Sequence, residues 1–141
     1  MSDMNDDNFD PQFHGILHLE DFDFDENGKL KQLPKPYGKK PVVVMVFATW
    51  CGPCKMTKPE YKKLKDMVSK DGDKVVVACI NGSGKGTLPS EQKLTERLKD
   101  IFKGFRGFPH IAVIDSNGNI VKTHEGPRKA EDIMNTIKNV K

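Results

Sequence analysis

The apolar positions of this chain change period several times, and each change predicts a boundary. From residue 16 to 24 they alternate in part, at Leu17, Leu19, Phe22 and Phe24. After the turn-forming Asp25-Glu26-Asn27-Gly28, a strand-like stretch returns over residues 29–33, and the two together predict a β-hairpin. Pro34, Pro36 and Pro41 bracket a loop. Residues 42–49 are then rich in β-branched side chains with no polar alternation, as in a central strand covered on both faces. Met56, Leu64, Met67 and Val68 recur at helical spacing as far as Lys70, where Asp71-Gly72 supplies a stop; Pro59 should kink this helix. Residues 74–80 read as a second buried strand and 81–87 as a loop. Leu94, Leu98, Ile101 and Phe102 form the stripe of a second helix closed by Gly104. Residues 111–114 and 120–123 flank Ser-Asn-Gly-Asn and predict an antiparallel hairpin, and Ala130, Ile133, Met134, Ile137 and Val140 mark a last amphipathic helix.

The order hairpin, β, α, β, α, β, β, α is that of an α/β fold, a central mixed sheet with helices on both faces and an extra N-terminal hairpin. Residues 1–12 are polar and acidic without period, which predicts a flexible arm and leaves 13–141 as a single domain. At 141 residues and 36% hydrophobic, the chain can bury one core of its own. Its longest unbroken apolar run, residues 42–48, falls far short of the roughly 20 residues that span a bilayer, so no membrane association is expected. The opening Met-Ser-Asp-Met-Asn-Asp lacks the basic and then apolar order of a secretory signal, and a cytosolic protein is the expectation.

Charge is segregated. The chain has 23 Lys and Arg against 20 Asp and Glu, yet residues 1–26 hold nine acids and no base, so the body is strongly basic. That surface could dock an acidic partner, or the leader could mask it. No interleaving of aromatic and basic residues marks a nucleic-acid platform, so nucleic acid is not an expected partner.

Three cysteines cannot staple a fold with several bridges, and their spacing separates them. Cys79 lies in a Val-rich run and reads as core. Cys51 and Cys54 sit within Trp50-Cys51-Gly52-Pro53-Cys54-Lys55, at the junction of a buried strand and a helix. A helix N-terminus carries unpaired N–H groups and about half a positive charge, which favours a thiolate on Cys51. Two intervening residues on a helical first turn let Cys54 attack a mixed disulfide formed by Cys51. By position, Cys51 is the exposed nucleophile and Cys54 the resolving cysteine; Pro53 at a helix start removes no hydrogen bond. The competing chemistry is a metal half-site, but His14, His18, His110 and His124 are scattered and give no second ligand pair, so no metal is expected. Asp23-x-Asp25-x-Asn27-Gly28 opens like a calcium loop but has Pro34 where a bidentate glutamate is needed. Gly82-Ser83-Gly84-Lys85-Gly86-Thr87 lacks the hydroxyl residue directly after the lysine that a phosphate loop requires.

The segment Phe47-Ala48-Thr49-Trp50-Cys51-Gly52-Pro53-Cys54-Lys55 resembles the active site of thioredoxins, and Arg106-Gly107-Phe108-Pro109 resembles the family's turn with a cis-proline. Gly126 after the last strand also fits, and the similarity covers residues 38–141. The resemblance implies a thioredoxin-like fold and a disulfide reductase of protein substrates. Trp50, Gly52, Pro53, Phe108 and Pro109 would contact the substrate, with Pro109 shaping the site. It further implies no bound cofactor, electrons from a thioredoxin-reductase-type enzyme or a small thiol, and a monomer. His110, where the family has threonine, could tune Cys51, or simply point into the sheet or to solvent. Met45 stands where thioredoxins have a buried aspartate, and Cys79 takes the place of its lysine companion. Methionine cannot accept the proton of the resolving thiol, so water or another carboxylate would have to. The 58 residues from Cys51 to Pro109, with the N-terminal hairpin, resemble the larger tryparedoxin and nucleoredoxin type. The alternative function is a binding module or redox sensor that docks a partner on its basic surface with little turnover.

Overall fold

The computed structural model describes residues 15–83 and 89–140; the acidic arm expected over residues 1–12 lies outside them. Five strands, β1 (Leu17–His18), β2 (Val42–Phe47), β3 (Val76–Asn81), β4 (His110–Ile114) and β5 (Ile120–Thr123), form one sheet in the order β1-β3-β2-β4-β5. The first three run parallel, and β4 is antiparallel to both β2 and β5. Helices α1 (Gly52–Lys70), α2 (Pro89–Ile101) and α3 (Ala130–Lys138) complete the fold.

Every residue of β2, β3 and β4 is buried, which accounts for the missing alternation in their sequences. Odd positions of β2, namely Val43, Met45 and Phe47, pack with Cys79, Ile111 and Val113 against Tyr61, Leu64 and Val68 of α1 and Ile133 and Ile137 of α3. The even positions Val42, Val44 and Val46 face the other way, toward Leu94, Leu98 and Ile101 of α2 and the N-terminal Leu19, Phe24, Leu30 and Leu33. A two-residue side-chain period in strands covered on both sides thus builds two separate cores. The phenol of Tyr61, fully buried beneath the sheet, is satisfied by the Val43 carbonyl at 3.0 Å and by that of Ala78. Helix α1 continues through Pro59 to Lys70 as one element.

The N-terminal hairpin is shorter than expected, and its first strand is shared with the sheet. Leu17 and His18 pair with Ala78 and Cys79 at the sheet edge, in parallel, and Leu19 N–H extends the pairing to Cys79 O at 2.9 Å. A 3-10 turn follows at Asp21–Asp23, and the hairpin itself is confined to the Phe24–Leu30 bridge, with Asp25 N–H donating to Lys29 O and Lys31 N–H to Asp23 O, each at 2.8 Å. Of the alternating apolar residues, Leu19 and Phe24 are buried as expected and Leu17 half-buried, whereas Phe22, on the 3-10 turn, is exposed; the unpaired edge of β3 takes the first of them as a partner.

The two turns with the pattern Asp-x-Asn-Gly have the same structure. Asp25 Oδ1 accepts the N–H groups of Asn27 and Lys29, each at 2.9 Å, and Asp115 Oδ1 those of Asn117 and Asn119, also at 2.9 Å. Leu30 N–H donates to Gly118 O at 3.0 Å and links the turns directly. Arg97 of α2 fastens the first turn to the body through Asp21 and the carbonyl of Asp25.

Candidate active site

Strand β2 ends at Phe47, and a turn closed by Cys51 N–H to Ala48 O at 3.1 Å makes Cys51 the N-cap of α1. A cap residue ordinarily offers a side-chain oxygen to a first-turn N–H. Here the Cys51 sulfur accepts from Cys54 N–H at 3.1 Å. Gly52 and Pro53 occupy the first turn, where proline loses nothing because those N–H groups have no intrahelical partner. Cys51 and Cys54 are joined as a disulfide with Cα atoms 5.2 Å apart. Cys51 is buried rather than exposed as its position suggested, because it caps the helix within this closed turn; the two are still not equivalent, since Cys51 retains 6% exposure and Cys54 none. When the bond opens, the helix terminus and its N–H favour negative charge on the Cys51 sulfur.

A train of aromatic rings supports this corner. Trp50, 67% exposed, meets Phe108 edge-on at 5.5 Å. Phe108 meets Phe105 at 5.3 Å, Phe105 meets His110 at 5.4 Å, and His110 meets Phe102 at 5.7 Å. The Phe108–Pro109 peptide is cis. Phe108 also lies on Gly82, where a Cβ would come within 2.7 Å of its ring. The loop after β3 is tied to the active-site turn: Thr49 N–H donates to Ser83 Oγ at 2.7 Å, which in turn donates to Asn81 Oδ1 at 2.6 Å. Ser83, with Asn81 behind it, is a support that the sequence showed only as a loop, because its partner Thr49 is more than thirty residues away.

The structure brings Trp50, Cys51, Gly52, Pro53, Cys54 and Phe108 to one corner, with Pro109 directly behind Phe108 at the start of β4. His110 pairs with Val46 and therefore faces the α2 side of the sheet, 8% exposed between Phe102 and Phe105, whereas the cysteines belong to the opposite core. Burial lowers its pKa, so its ring is neutral at neutral pH. Met45 and Cys79 are in register on adjacent strands, both fully buried, and Cys79 Sγ lies 3.4 Å from His18 Nδ1. One buried lysine on the helix that carries the dithiol was not singled out from the sequence. Lys58, four residues after Cys54 on α1, is 4% exposed, with its Nζ 5.6 Å from the centre of the Phe47 ring.

Among the described residues, no group of three His, Cys, Asp or Glu has the geometry to hold a metal ion, and no helix is long and apolar enough to cross a membrane. The calcium-like residues are instead engaged in the Asp25 turn.

Comparison with known proteins places this corner in context. The Thioredoxin family model matches residues 16–139. A protein disulfide-isomerase of Datisca glomerata is 32% identical over 97 residues, 69% of this chain and 17% of that protein. The barley (Hordeum vulgare) protein disulfide-isomerase is 28% identical over 123 residues, 86% of this chain and 20% of that one. The chain thus spans about a fifth of the length of these relatives. In fold it is similar to the Trx4 domain of ERdj5, with a TM-score of 0.57 and 23% identity over 88% of this chain and 93% of that one. It is likewise similar to human ERp44 in its zinc-bound form, with a TM-score of 0.61 and 17% identity over 87% of this chain and 30% of that one. These findings correct the cytosolic placement. The curated relatives that match are protein disulfide-isomerases, which point to the endoplasmic reticulum rather than the cytosol.

Proposed function

The chain belongs to the thioredoxin family, and from that premise we propose that it is a thiol–disulfide oxidoreductase that reduces disulfides of protein substrates through Cys51 and Cys54. The observation that carries the reading is the asymmetric pair itself: one sulfur caps a helix and receives a backbone N–H, and the other is sealed in the core one turn away.

In the cycle, the Cys51 thiolate attacks a substrate disulfide, one substrate sulfur leaves as thiolate, and a mixed disulfide forms. Cys54 then attacks the Cys51 sulfur, closing the intramolecular disulfide and releasing the second substrate sulfur reduced. Trp50 and Phe108 flank the attacked bond and give the substrate chain an apolar contact, and the cis turn at Pro109 shapes the approach. No bound cofactor is required; a reductase or small thiol restores the dithiol. Net reduction, rather than disulfide exchange, is the direction we assign on the resemblance of Cys-Gly-Pro-Cys to thioredoxins.

The test is covalent trapping. Cys54→Ser should leave a mixed disulfide between Cys51 and a protein disulfide substrate that persists until external thiol is added, while Cys51→Ser should trap nothing. Trapping through Cys54 or Cys79 instead would overturn the assignment. A second expected result concerns the free reduced protein. In a pH series of alkylation with peptide mapping, Cys51 should react at lower pH and at least about tenfold faster than Cys54 or Cys79, as a helix terminus and residual exposure direct. Equal rates at the three would remove the nucleophile.

A further inference from the structure

We propose that Lys58 sets the reactivity of Cys54: its buried ammonium, one helical turn beyond the second cysteine, favours the Cys54 thiolate and thereby drives the resolving attack on the mixed disulfide. This rests on the dithiol reading above and assigns the group that works its second half.

Cys54 has a problem that Cys51 does not. Its side chain is wholly buried in the core formed with Met45 and Phe47, where loss of water disfavours a thiolate. The helix terminus gives it little help, because the Cys54 N–H points at the Cys51 sulfur. A compensating positive charge has to come from the protein.

Lys58 is placed to supply it. Residues four apart share one face of a helix, and long helical side chains lean back toward the N-terminus of their own helix, so the stem of Lys58 runs toward the level of Cys54. Its ammonium lies over Phe47, which belongs to the same core as both cysteines. A lysine on a helix is almost always solvated, and this one is 4% exposed.

The other titratable groups facing this core do not substitute. Tyr61 of α1 is held neutral by burial, its pKa pushed well up, and its hydroxyl is engaged with the Val43 and Ala78 carbonyls. Cys79 of β3 is an acid, not a cation, and His18 of β1 lies against its sulfur at 3.4 Å. Glu60, on the outer flank of α1, accepts the Ala130 N–H at 2.9 Å, and that bond keeps its carboxyl below the usual range.

In the step concerned, the Cys54 thiol gives its proton to water and its sulfur bonds to the Cys51 sulfur. The bond from Cys51 to the substrate sulfur breaks, and the electron pair leaves with that sulfur, which then takes a proton from water. The dithiol is oxidised by two electrons and the substrate disulfide reduced by the same two; Lys58 takes no part in the proton transfer.

The experiment follows single-turnover reduction of a dye-labelled peptide disulfide by the full chain across a pH range, with Lys58→Gln, Lys58→Met and Lys58→Arg. Urea unfolding identifies the folded variants. In whichever uncharged variant is folded, resolution at pH 7 should slow about tenfold and its rate–pH midpoint should rise by about one unit, since one pKa unit corresponds to a tenfold change in thiolate ratio. Rates should converge with the parent at high pH, and Lys58→Arg should restore most of the effect. An unshifted midpoint, or a slowing uniform at all pH values, overturns the proposal. Failure to form any mixed disulfide with the parent protein would instead overturn the dithiol reading, and the two failures are read from different phases of one trace.

Discussion

Met45→Asp is expected to destabilise the protein by about 3–5 kcal/mol at neutral pH, the range for an uncompensated charge in a core. Met45 is fully buried in the centre of β2 and in register with Cys79, so the carboxylate would meet a thiol and apolar side chains. The loss should depend on pH in a definite direction. Burial raises the folded-state pKa of the new carboxyl above its unfolded value, so the folded protein holds the proton over a window in which the unfolded chain releases it. Destabilisation therefore grows as pH rises through that window and shrinks as pH falls toward the unfolded value. Urea unfolding at several pH values measures this. A penalty that does not change between mildly acidic and neutral pH would mean that the carboxylate has found a partner, with Lys58 the first candidate.

Gly118→Ala should lose about 2–4 kcal/mol. Gly118 has φ +90°, a region that alanine adopts reluctantly, and a Cβ there would overlap the Leu30 carbonyl oxygen of the neighbouring turn. Gly104 separates the two effects. It has φ +85° with nothing within 4 Å of a Cβ, so Gly104→Ala carries the backbone penalty alone, about 1 kcal/mol. Unfolding midpoints of the two variants should differ accordingly. Equal losses would show that the twin turns can move apart at little cost, and that the Leu30–Gly118 hydrogen bond is not what holds them.

The same residues show how far the sequence could be read. The β-branched run of β2, the stripes of α2 and α3 and the motif at the strand–helix junction were legible because each is a local pattern: a period, a stop residue, a spacing. The N-terminal segment was not, because alternation says which side chains turn inward but not which strand they pair with. Leu17 and His18 found the edge of β3, some sixty residues on. His110 was ambiguous for the same reason. Its face follows from register with Val46, a contact between distant strands. The support of Thr49 by Ser83 left no local trace. Lys58 did leave one, in its four-residue spacing from Cys54, but the usual solvation of helical lysines makes such a spacing look unremarkable until the burial is known.

Trp50 is the chain's one tryptophan, and it stands beside the disulfide with its ring held edge-on by Phe108. Indole is a strong ultraviolet emitter and disulfides quench it, so reduction of the neighbouring Cys51–Cys54 bond is expected to change the chain's emission. No second indole dilutes the signal. Emission at a single wavelength is thus expected to follow the oxidation state of the two sulfur atoms without a dye or a coupled enzyme.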